Sequence, residues 1–122
     1  MGNIQSFEDL ECWKVCTDLR RYISSLTKRF PVEEKYVLTS QILRASRSVT
    51  NNIAEGYGRF HFKENAQFCR QSRGSLYELK DHLIIALDEG YISNEEYKTV
   101  LEKFNKCIAL MNGYINYLVN SV

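Results

Sequence analysis

Proline occurs once in this chain, at Pro31, and glycine only six times in 122 residues. So few breaks exclude a many-turned β-sandwich and leave room for long helices. Long apolar runs are missing as well: none exceeds LIIAL at 83–87, far short of the roughly 20 residues that cross a bilayer. The opening MGNIQSFEDLECWK has neither a basic nor an apolar leader region, so the expectation is a cytoplasmic protein with no membrane partner. Gly2 and Ser6 satisfy a short acylation pattern that chance supplies far more often than function, and it is set aside.

Recognisable chemistry is also absent. Cys12, Cys16, Cys69 and Cys107 form no CxxC, and neither His61 nor His82 lies in a ligand-spaced pair. Cys12 and Cys16 share a helical face, but a metal would need two further ligands from elsewhere. Reduced core thiols are the simpler reading, with no metal and no cofactor. A di-iron bundle needs Glu three residues before His on two helices, and neither histidine has it. There is no G-x-S-x-G, H-E-x-x-H or dinucleotide fingerprint, so an enzyme is not expected.

Apolar periodicity is what the chain has in quantity. Tyr97, Leu101, Phe104, Ile108, Met111, Ile115, Leu118 and Val122 step alternately by four and three, a heptad seam on a helix running from about Asn94 nearly to the C-terminus. Ser93 caps it against the amide of Glu96. A third helix, from about Lys63 to Glu89, carries Leu76, Leu79, Leu83, Ala86 and Leu87 and ends on Gly90. The second runs from about Glu33 to Tyr57 with Leu38, Ile42, Ala45, Val49 and Ile53. The first carries Leu10, Trp13, Cys16, Leu19, Ile23 and Leu26, capped by Ser6 with Asp9 and ended by Phe30-Pro31. Short loops force neighbouring helices to be antiparallel. The expectation is all-α: one domain, residues 1–122, folded as an up-down-up-down four-helix bundle.

The stretch RASRSVTNNIAEGYGR, 44–59, sets two asparagines together before Gly-Tyr-Gly. At 100° per residue Asn52 aligns with Leu38, Ala45, Val49 and Gly56, which places its carboxamide in the core in need of partners: Glu55, Ser72 or Arg73. Asn52, Glu55 and Gly56 therefore read as a structural motif. Gly56 and Gly58 follow a helix rather than a strand and end it; they are not a phosphate loop. The opposite face presents Ser40, Leu43, Thr50 and Ala54 beside Arg47 and Asn51, too little charge for a solvated surface. Burial on both sides implies a homo-oligomer.

Charge is unevenly spread. Residues 35–73 hold seven Lys or Arg against two acids, +5 within a chain of net +1. Antiparallel packing brings Arg59, Lys63 and Arg70 to one end of the bundle with His61, and a ring would repeat that patch, multiplying weak phosphate contacts. The candidate nucleic-acid contacts are Arg47, Arg59, Lys63, Arg70 and Arg73. Trp13 and the eight tyrosines read as packing or interface residues rather than base-stacking platforms, with Tyr57 beside the basic loop left open.

FEDLECWK, FPVEEKYVLTSQILRASRSVTNNIAEGYGR and RGSLYEL together resemble the four-helix proteins first noted as reading frames in intervening sequences of bacterial 23S rRNA genes. That family is similar to the accessory variability protein of diversity-generating retroelements, a basic pentameric barrel that binds nucleic acid and a reverse transcriptase. The resemblance implies a bacterial, non-catalytic homopentamer with an RNA or reverse-transcriptase-type protein partner. The rival expectation is a purely structural protein–protein interaction module.

Overall fold

A computed structural model describes residues 3–121, and among them the three-and-four spacing of apolar residues produces four helices and no strand. α1 spans Glu11–Thr27, α2 Leu38–Tyr57, α3 Phe62–Asp88 and α4 Asn94–Asn120, with short 3-10 turns at Phe7–Asp9 and Val32–Glu34. Gly2 and Val122, each given a role above, lie outside the described residues.

Cross-helix bonds fix the directions. Ser72 Oγ donates to the Val49 carbonyl at 2.7 Å and Ser48 meets Ser75 at 2.9 Å, so α2 and α3 run antiparallel. Asn65 reaches Tyr114 at 3.0 Å and Arg73 reaches Asn112 at 2.7 Å, which reverses α4 against α3. Lys103 pairs with Asp18 at 2.6 Å and Glu96 with Arg29, closing α4 onto α1. Each helix packs closely on two others around a closed circuit, as the all-α four-helix expectation requires. Ile23, Ile42, Ile53, Leu76, Leu83 and Met111 are fully buried at its centre. The four cysteines are buried among them.

Local chemistry sets the ends. Ser93 Oγ accepts from Glu96 N at 3.1 Å while the Glu96 carboxylate accepts from Ser93 N at 2.9 Å, the reciprocal box read from SNEE. Gly90 takes φ +78° after α3, where a side chain would be strained. Gly56 permits a close approach: a Cβ there would lie 2.7 Å from Asn65 Oδ1 and 2.8 Å from Phe68 Cβ.

Two boundaries and one buried stripe differ from expectation. α2 begins at Leu38, not Glu33, because Pro31 is extended and Glu33 and Glu34 fall in a separate 3-10 turn. The Glu34 carboxylate serves two masters, accepting from Leu38 N at 3.3 Å and from Tyr91 Oη at 2.9 Å. Ser6 and Asp9 cap the turn at Phe7–Asp9 rather than α1, which starts after the extended Leu10. In α4 Val100 and Cys107 are buried in place of the expected Leu101 and Ile108, which are only half-buried, because the helix drifts relative to a strict heptad.

Candidate functional site

The predicted basic residues fall into separate places. Arg47 stands on the exposed face of α2 one turn from Arg44, and the reversal after α1 carries Lys28 and Lys35 beside them. These four cations line a polar groove of about 920 Å³, and among the described residues none of them makes an ion pair. Its one acid, Glu55, is already paired, to Arg59 at 3.0 Å. The groove therefore keeps an uncompensated positive field that favours an anionic ligand. Of the four, the sequence reading named only Arg47 as a contact. Lys28 directly follows α1, outside the basic third, and only the fold brings it there.

The other candidates are held differently. Arg59, besides pairing with Glu55, lies over the Phe68 ring at 4.9 Å. Lys63 and Arg70 share a shallow recess with Val119. Arg73 is a tie between α3 and α4, donating to Asn112. Arg59, Lys63 and Arg70 do cluster toward the α2–α3 connection, but Arg47 and Arg73 are not part of one patch with them.

The motif Asn52, Glu55 and Gly56 is also divided. Asn52 is half-buried at the groove rather than central to the core, and its amide donates to the Ser48 carbonyl at 2.9 Å and the Ser48 hydroxyl at 3.0 Å. None of the expected partners serves it: Glu55 holds Arg59, Ser72 holds Val49 and Arg73 holds Asn112. The buried stripe of α2 passes through Val49, Ile53 and Gly56, leaving Asn52 to one side. Through Ser48 and Ser75 it still belongs to a polar link between α2 and α3. Thr50 is buried within its own chain, where the Phe7–Asp9 turn packs on α2, so the other face retains exposed Ser40 and half-buried Leu43 and Ala54.

At the α2–α3 connection the surface becomes aromatic. Phe60 has φ +61° and is 85% exposed. It borders a recess of about 270 Å³ with Tyr57, His61, Phe62, Tyr114 and Tyr117. Phe62 and Tyr117 lie 6.0 Å apart, and Tyr117 stacks on Tyr114 at 6.3 Å and 14°. Burial pushes the Tyr114 hydroxyl up to about 12, against the opposing pull of the buried Asn65 amide that donates to it, so it stays protonated at neutral pH. A second recess, about 520 Å³, opens between Leu10 and Tyr114; the Asp9 carboxylate on its edge is already engaged by the amides of Gln5 and Ser6. Among the described residues no three His, Cys, Asp or Glu side chains converge to hold a metal ion, and no helix is long and apolar enough to cross a membrane.

The family model described as 23S rRNA-intervening sequence protein matches residues 8–113. The crystal structure of a protein of unknown function from the S23 ribosomal protein family of Bacteroides thetaiotaomicron VPI-5482 superposes with a TM-score of 0.78. The two are 21% identical over 86% of this chain and 95% of that one, a likeness of fold. No curated protein matches the chain.

Proposed function

Because the chain belongs to the 23S rRNA-intervening sequence protein family, we propose that it is a non-catalytic, cytoplasmic module that assembles into a ring and binds RNA or a nucleoprotein through a repeated basic surface. The observation that carries this reading is the groove of Lys28, Lys35, Arg44 and Arg47, four cations without acidic partners on one concave surface. Phosphate contacts of this kind gain affinity by releasing counterions, about 0.7 to 0.9 of an ion per phosphate. One fully engaged groove gives a log-log salt slope of roughly −3, and a ring that presents several grooves to one RNA steepens it.

The test is anisotropy of a labelled structured RNA across a salt series. Arg44→Glu with Arg47→Glu abolishes binding while helicity stays as it was, since exposed charges contribute little to stability; loss of the ring in the same variant would instead assign the groove to a contact between copies. Arg59→Glu with Lys63→Glu does the same for the opposite end if the basic surface extends there. The reading fails if the wild type binds no RNA at low salt, or if both charge reversals bind as well as it does.

The pentamer number, and a reverse-transcriptase-type protein partner, rest on the resemblance to the accessory variability protein of diversity-generating retroelements. A second reading, a protein–protein interaction module without nucleic-acid binding, draws on Val32, Tyr36 and Val37, which stand exposed near the groove.

A further inference from the structure

Phe60 is a residue that neither the turn nor the core requires. The left-handed backbone at this position suits glycine or asparagine, and a bulky side chain there is strained. Strain of that kind persists where a function needs it. The ring is also not used for packing, being 85% exposed. Within seven residues, Tyr57 to Lys63, aromatic side chains alternate with Arg59, His61 and Lys63. Surfaces that hold single-stranded nucleic acid share this composition, since bases stack on aromatic faces while cations follow the phosphates.

We propose that the α2–α3 connection is a base-stacking clamp for single-stranded nucleic acid, with an unpaired base lying against Phe60 at the mouth of the aromatic recess and its phosphate facing His61 and Lys63. Duplex is excluded from the clamp because its bases are already stacked on one another, so the ligand is a loop, bulge or free strand. The Phe62–Tyr117–Tyr114 ladder provides the recess with a rigid wall. Charge favours this occupant over an apolar protein surface: Lys63 makes no ion pair among the described residues and shares a recess with Arg70, Glu55 is neutralised by Arg59, and Glu64 is the one acid in the first turn of α3. The proposal rests on the RNA-binding reading and adds to it a preference for unpaired bases.

The probes are a single-stranded oligoadenylate carrying 2-aminopurine and a duplex RNA with the same number of phosphates, each titrated against the intact protein. Phe60→Gly relieves the backbone strain, so its thermal midpoint equals or exceeds that of the wild type. The clamp predicts that this variant binds the single strand about tenfold more weakly, with loss of 2-aminopurine quenching, while duplex affinity is unchanged. Phe60→Tyr restores single-strand binding. Equal single-strand affinity in Phe60→Gly and wild type overturns the clamp, and if Arg44→Glu with Arg47→Glu still loses RNA, the groove reading survives alone. Absence of RNA binding by the wild type overturns both. A smaller assembly in Phe60→Gly with RNA affinity retained also overturns the clamp and assigns Phe60 to a contact between copies.

Discussion

Replacing Gly56 by alanine sets two effects of opposite sign against each other. Alanine is a better helix former by about 1 kcal/mol, which by itself stabilises α2. The new Cβ, however, would meet Asn65 Oδ1 at 2.7 Å, Phe68 Cβ at 2.8 Å and the Asn65 carbonyl at 3.1 Å. Two of these atoms are backbone or fixed directly to it, and the third belongs to a side chain held by Tyr114 and Cys69. Relief therefore requires α2 and α3 to separate, an overpacking that costs about 1–3 kcal/mol, with the loss of the Asn65–Tyr114 bond adding about 1 kcal/mol. The net expectation for Gly56→Ala is a loss of about 1–3 kcal/mol, or roughly 4–12 °C in thermal midpoint at this chain length. Gly74→Ala and Gly113→Ala are the controls. Both lie inside helices with nothing within 4 Å of an added Cβ, so each should gain up to about 1 kcal/mol. Urea unfolding followed by circular dichroism at one protein concentration measures all three. A Gly56→Ala midpoint at or above that of the wild type would refute the close-approach argument.

Three other outcomes are expected. Its bond from the Ser93 amide, helped by Arg29, holds the Glu96 carboxyl below its ordinary 4.5. Its charged form therefore stabilises the fold above pH 4.5, and that contribution is lost as pH falls through the lower folded value. Glu96→Gln should be less stable than wild type at pH 7, with a difference that vanishes in acid; a difference independent of pH would contradict this. Burial pushes the thiols of Cys12 and Cys69 up to about 12, and hydrogen bonding to Cys107 followed by burial raises Cys16 as well. All four thiols are free and buried, so a disulfide reagent at pH 8 should label none of them in native protein and all of them in denaturant. Light scattering should find five copies of the 14.3 kDa chain, whereas a stable monomer at micromolar concentration would remove the ring.

What could be read in advance was what adjacent residues determine. The Ser93 box and the Gly90 stop are set by atoms within a few positions of one another, so SNEE and the glycine were sufficient signals. The start of α2 was not legible, because Glu34 is engaged by a tyrosine 57 positions away. Asn52 misled because an ideal wheel assigns one buried direction, whereas α2 packs against both α1 and α3 and its stripe falls between them. Arg73, read as a nucleic-acid contact or a partner of Asn52, is instead held by Asn112, which only the placement of α4 brings against it. The basic groove needed the reversal after α1 to bring in Lys28. The alternation around Phe60 was visible in the chain, but its backbone conformation and exposure were not.

The circuit of helices also implies an order of assembly. Ser48 and Ser75, which join α2 to α3, are 27 positions apart, whereas the Arg29–Glu96 and Asp18–Lys103 pairs that close α1 onto α4 span 67 and 85. Chain entropy lost on closing a loop grows with its length, so the α2–α3 hairpin can form early and the α1–α4 seam waits until the intervening helices have shortened the effective loop. The most extensively packed pair is that same hairpin, so its contacts are expected in the folding nucleus and those of the seam after the rate-limiting step. By this ordering, weakening the seam accelerates unfolding and hardly touches the folding rate.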